Sequence, residues 1–174
     1  MNKTLAFDYF VYQLVDWYRE ACGGGIENDL STLKVLKLLF FTTAIGAKKD
    51  DNSSLLDSTF NNFYALPYGH VEGDIYDDIK QKKTAYTINN YSTTGSYTET
   101  TELAEEIKSK ISESIAKLKS ENPDLIKMSS FDLVELSHSW YSWRYYFNMA
   151  KSKGAYREPI PNEVIKSENK YFHL

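Results

Sequence analysis

The order of apolar and polar positions divides the chain into about six helical stretches separated by short breaks. Between Leu5 and Cys22 the residues Phe7, Phe10, Val11, Leu14, Tyr18 and Ala21 fall on one face, which predicts an amphipathic helix. Gly23-Gly24-Gly25 stops it, and Asp8 near its start suits the positive end of the helix dipole. Ser31 or Thr32 can cap a second helix, LKVLKLLFFTTAIGAK, whose apolar residues spread around most of the circumference. Lys34 and Lys37 are its chief interruptions, and the pattern predicts a central buried helix. KKDDNSSLLD then reads as a solvated loop. The aromatic segment STFNNFYALPY is short and irregular and fits a brief strand or extended stretch. Pro67 pushes Leu66 out of helical geometry and marks a boundary there.

Beyond that proline a third helix is expected in VEGDIYDDIKQKK, with Val71, Ile75, Tyr76 and Ile79 on one face. Its acids precede its lysines, the order the dipole prefers. TAYTINNYSTTGSYTETT alternates aromatics with turn residues around Gly95 and reads as a small β-hairpin or a mobile excursion over 84–100. Leu103, Ile107, Ile111, Ile115 and Leu118 form a narrow seam along a fourth helix, capped by Thr100 or Thr101 and closed by Pro123. Glu106–Lys110 and Glu113–Lys117 lie one turn apart on its wet side. A fifth helix is expected from Ser129 or Ser130 to Gly154, with the stripe Leu133, Leu136, Trp140, Trp143, Phe147 and Ala150. EPIPNEVIKSENKYF reads as a short closing helix with Pro161 in its first turn. The expected fold is mainly α: a single compact helical domain over 1–174 with about six helices and room for a small β-hairpin.

Composition narrows the class of protein. At 174 residues with 42% hydrophobic and 25% charged positions, the chain is long enough for a sizeable core and ordinary for a globular protein. The formal charge of −4 argues against a broad grip on a nucleic-acid backbone, and neither a helix-turn-helix nor a basic recognition helix is evident. A lone cysteine, Cys22, allows no intrachain disulfide, which points to a reducing compartment. The apolar start is interrupted by Asp8 and Asp16, unlike the core of a signal peptide, and no apolar run reaches membrane-spanning length. A cytoplasmic protein without a membrane partner is expected.

The chemistry-bearing residues fall mostly into structural patterns. His70, His138 and His173 are far apart and no cysteine pair exists, so no local zinc-ligand spacing is present, and neither a metal nor a cofactor is expected. CGGGIEND lacks the Lys-Ser/Thr of a phosphate-binding loop and follows a helix rather than a strand. Asp74, Asp77 and Asp78 sit in the first turns of a helix, where they complement its dipole. Ser137-His138-Ser139 has the residue types of a nucleophilic site, but neighbours on a helix point in different directions. An alternative reading, a hydrolase or nuclease, would use His70 or His138 with nearby carboxylates. Trp140, Trp143 and Phe147 are at core spacing, whereas Tyr141, Tyr145 and Tyr146 fall partly off that stripe and offer contact area to a protein partner.

Four stretches together resemble a known family. DLSTLKVLKLLFF resembles the opening signature of the SocA-like antitoxin family, also called the Panacea domain: Leu/Thr-x-Leu-Lys-x-x-Lys-Leu-Leu-Tyr/Phe. FYALPYGHVEGDIYDDI resembles its second signature, typically Glu-Ala-Trp-x-Tyr-Gly-Pro-Val followed by a short helix. LVELSHSWYSW and PIPNEVIKSENKYF resemble its later segment and closing helix. The matches extend from about Leu30 to Phe172. The sequence departs from the pattern at Leu66, where the family usually has Trp, and at His70, where it usually has Pro; Tyr86 to Thr100 reads as an elaboration. Family members occur in bacteria, phages and mobile elements, and several neutralise a protein toxin encoded beside them; the domain is not known as an enzyme. The resemblance therefore implies a non-enzymatic antitoxin whose partner is a cognate toxin. Aromatics are enriched at interface hot spots, which makes Tyr68 and His70 at the turn, with Tyr141 and Tyr145 on the fifth helix, the expected contact residues.

Overall fold

The computed structural model describes residues 2–25 and 27–174. α1 (Lys3–Cys22) begins at Asn2, whose side chain accepts the N–H groups of Thr4 and Leu5, and ends at Gly23 with φ +96°. Its buried face is Phe7, Phe10, Val11, Leu14 and Trp17. α2 (Thr32–Ile45) is capped by the Ser31 hydroxyl, and every residue from Lys34 to Ala44 is buried. It is the central helix, packed against elements on all sides. Lys34 and Lys37 do not interrupt its buried surface as the pattern implied; both are fully enclosed. A lysine stem is four apolar methylenes, and its head can enter a core where oxygen atoms wait for it. Lys34 Nζ donates to Asp29 at 2.9 Å and to the Met128 carbonyl at 2.7 Å.

The expected solvated loop contains a short helix, α3 (Leu55–Ser58). Ser54 and Asp57 form a capping box there, and Leu55 and Leu56 enter the core. β1 (Phe63–Leu66) then pairs antiparallel with β2 (Gly69–Glu72), Leu66 facing Gly69 across the two-residue connection Pro67-Tyr68. The third helix consequently starts two residues later than expected, as α4 (Gly73–Lys80), with the Glu72 carboxylate capping the Ile75 N–H at 2.9 Å. All four β2 residues are buried, so no apolar–polar alternation marked the strand. β3 (Tyr86–Ile88) and β4 (Thr93–Gly95) form the hairpin foreseen within 84–100.

α5 (Glu105–Glu121) buries Ile107, Ile111, Ile115 and Leu118 as expected, starting at Ala104 rather than at Thr100 or Thr101. Glu106 and Lys110 pair at 2.9 Å on its outer side. A 3₁₀ turn over Leu125–Lys127 leads to the largest correction. The expected fifth helix is two helices, α6 (Ser130–His138) and α7 (Tyr141–Ser152). Trp140 between them has extended backbone, φ −79° and ψ 135°, and its fully buried indole meets Phe40 and Phe172 edge to face. Driving that large ring inward outweighs one unbroken helical ladder. β5 (Glu158–Pro159) adds to β1, giving the order β2-β1-β5, and α8 (Asn162–Ser167) closes the chain with Pro161 as its N-cap. With 54% of the chain helical, the fold is mainly α with a small antiparallel sheet, and one connected core runs through it.

Among the described glycines, Gly69 is the most closely surrounded. Its φ is +103°, and a Cβ there would lie 2.8 Å from Lys37 Cε and closer still to Ser137 Oγ. Gly69→Ala combines backbone strain with overpacking and is expected to lower stability by about 3 kcal/mol or more. Urea unfolding checks it; a loss below about 1 kcal/mol would show that hairpin and helix are free to separate.

Candidate functional site

The β1–β2 hairpin carries a fully enclosed polar ring. β2 turns His70 inward, where its ring stacks on Phe40 with centroids 3.6 Å apart and planes 6° from parallel. It is fully buried. Its Nδ1 lies 2.7 Å from Ser137 Oγ on α6, and its Nε2 lies 2.7 Å from Ser142 Oγ on α7. The His70 backbone N–H also donates to Ser137 Oγ, at 3.1 Å. Glu168 sets the rest of the order. As a carboxylate it can only accept, and it takes the Ser142 N–H on Oε1 at 2.9 Å together with the Ser142 hydroxyl proton. The Ser142 oxygen is then the acceptor for the His70 Nε2–H, which leaves Nδ1 to accept the Ser137 hydroxyl.

Burial holds the His70 imidazole well below its usual pKa, so the ring is neutral. Beneath it, Lys37 Nζ donates to the His70 carbonyl at 2.8 Å, and full desolvation lowers that amine to about 7. The connection is held from outside as well. Trp143 Nε1–H donates to the Leu66 carbonyl at 2.7 Å, and His138 Nε2 donates to the Pro67 carbonyl at 3.2 Å. His138 and Trp143 stack with centroids 3.6 Å apart, and partial burial lowers the His138 pKa. Two helices thus grip successive carbonyls where β1 enters the turn.

Ser137, His70, Ser142 and Glu168 follow one another in the order of a proton relay. However, Ser137, His70 and Ser142 have no exposed surface. The chain binds three elements to one ring. This overturns the expectation that His70 contacts a partner: a ring with zero exposure and both nitrogens bonded has nothing to offer a surface.

The other expected contact residues are at the surface. Tyr68, at the tip of the hairpin, is 59% exposed, and Tyr141 and Tyr145 are about half exposed and stack at 5.4 Å. They do not form one patch around a common hollow. Tyr68 stands on the lip of a groove of about 530 Å³ between α2, the hairpin, α4 and the β3–β4 connection. Tyr141 lines two smaller hollows between α7 and α8, beside Glu168. Glu168 Oε2 is buried there without a hydrogen-bond partner, and burial raises its carboxyl above the usual range.

Sequence reasoning missed Ser137, Ser142 and Glu168 as the partners of His70, because 67 and 72 residues separate the histidine from the two serines. It placed Ser137 beside His138, and the structure pairs it with the other histidine. Among the described residues no group of three His, Cys, Asp or Glu side chains converges as a metal site would require, and no helix is long and apolar enough to cross a membrane. Comparison with family models, with curated proteins and with solved structures gives no match.

Two measurements probe the buried groups. His70 has a folded pKa below its unfolded value, so its contribution is complete above pH ~6.5 and declines as pH falls through and below that value. His70→Phe keeps the stack and orphans two hydroxyls; a loss of about 2–4 kcal/mol at pH 7.5 is expected, with a flatter decline between pH 6.5 and 5. An unchanged acid limb in urea titrations would remove His70 as its source. Lys37 is likewise depressed, so stability is full above its unfolded pKa near 10.5 and is lost as pH falls through about 7. Lys37→Met should therefore gain about 2 kcal/mol at pH 6, after allowing for one lost hydrogen bond, and the gain should shrink by pH 10. No gain at pH 6 would contradict an enclosed amine held by a carbonyl alone.

Proposed function

We propose that the protein is a cytoplasmic, non-enzymatic protein-binding module of antitoxin type that neutralises a cognate toxin encoded nearby. The sequence resemblance supplies the class. One structural observation supports the binding role: Tyr68 projects from a turn whose two preceding carbonyl anchors, Leu66 O and Pro67 O, are fixed by Trp143 and His138. An exposed aromatic on an immobilised turn loses little conformational freedom on binding, which is what a hot-spot residue requires. Tyr141 and Tyr145 offer a second aromatic contact on α7.

A second reading, a hydrolase or nuclease, is favoured by the donor order Ser137, His70, Ser142, Glu168. It requires a conformation that opens the ring to solvent. Labelling of Ser137 by a fluorophosphonate probe, abolished in His70→Phe, would support it; no labelling at any pH would weigh against it.

The antitoxin reading is tested by co-expression with the product of the adjacent gene. Growth rescue and co-purification are expected. Tyr68→Ala combined with Tyr141→Ala and Tyr145→Ala should weaken binding tenfold or more while leaving the far-UV circular dichroism unchanged. Neither rescue nor co-purification with any neighbouring product would defeat the reading.

A further inference from the structure

The groove beside Tyr68 combines apolar, aromatic and basic side chains. Its floor is apolar, built from Leu33 and Leu36 of α2, Leu66 and Val71 of the hairpin, Ile79 of α4 and Ile88 of β3. The aromatic rims are Tyr68 and Tyr156, 59% and 68% exposed. The charged groups of its lining are Lys80 and Lys82, and no Asp or Glu takes part. That is the reverse of the whole chain, which has 24 acidic and 20 basic residues. No carboxylate neutralises either lysine among the described residues: Lys80 lies over the Tyr76 ring at 4.8 Å, and Lys82 has no ion pair.

An apolar trough with aromatic rims and unneutralised cations at its mouth selects a ligand that is apolar in the middle and acidic at its edges. We propose that the groove is the docking site for an amphipathic, acidic segment of a protein partner. That segment places two or three apolar side chains on the Leu36–Leu66–Ile79 floor and Asp or Glu side chains against Lys80 and Lys82. The inference rests on the protein-binding reading and adds the chemistry of the bound segment. A peptide fits better than a small fatty acid, because two lysines and two exposed tyrosines offer more polar contacts than a single carboxylate can use.

The test is to pan a random dodecapeptide phage library against the full chain and to measure one enriched peptide by fluorescence anisotropy. Enriched sequences should combine apolar residues with Asp or Glu, and raising the salt from 50 to 300 mM should weaken binding. Lys80→Glu with Lys82→Asp should weaken it at least tenfold with the urea midpoint unchanged; aspartate suits the positive φ at position 82. No enrichment, enrichment of basic peptides, or binding indifferent to the double variant would overturn the proposal. So would binding of 11-(dansylamino)undecanoate that the double variant abolishes while no peptide is enriched, since that result assigns the groove to a small amphiphile. The two hypotheses fail separately. Rescue by a neighbouring gene that survives the double variant overturns the groove and leaves the antitoxin reading intact. An acidic peptide bound at the groove, with no neighbour giving rescue, does the opposite.

Discussion

One neutral imidazole with no water to bond sets the terms for the rest of the fold. His70 is enclosed on every side, so each of its polar atoms needs a protein partner, and leaving one unmet costs about 1–3 kcal/mol. The partners come from separate helices: Ser137 from α6, Ser142 from α7 and Phe40 of α2 beneath the ring. A displacement of any one of these by an ångström breaks a bond whose loss nothing nearby makes good. The hairpin is therefore held to the helical layer by direction as well as by area, and the surface it presents is correspondingly fixed.

The central helix shows a related compromise. A helix apolar all round would satisfy the core, but α2 carries two lysines inward. Lys34 keeps a carboxylate and a carbonyl as partners; Lys37 has a single carbonyl and loses much of its preference for the charged form. The same residue type three positions apart thus has two sets of partners, one with the Asp29 carboxylate and one without. Lys37 is destabilising in isolation, yet it joins α2 to the main chain of β2 at the residue whose ring the helices hold.

The helices were legible in the sequence wherever one face alone was apolar. The seam of α5 and the buried face of α1 follow their spacing, because burial on one side leaves a period to read. The pattern failed where burial was complete or where one side chain overrode its local ladder. β2 is buried on both faces and carried no alternation, so its last residues looked like the start of a helix. Trp140 lies on the helical stripe of its neighbours and gave no sign that its ring would break the helix there. At the site, the exposed tyrosines were visible as residues off the core stripe. The partners of His70 were not, since hydrogen bonds between distant segments leave no trace in spacing.

The break at Trp140 has a consequence for how the chain comes together. On a continuous helix, side chains five residues apart diverge by ~140°. Ser137 and Ser142 could not then meet the two nitrogens of one ring; the bend at Trp140 turns them towards each other. Glu168, which holds Ser142, is 26 residues further on, and the indole itself donates to the carbonyl of Tyr171. During synthesis the hairpin leaves the ribosome long before these groups do. A nascent chain that has emerged only as far as α6 carries an imidazole half supplied with partners, and the polar lock closes once residues 168–171 clear the exit tunnel.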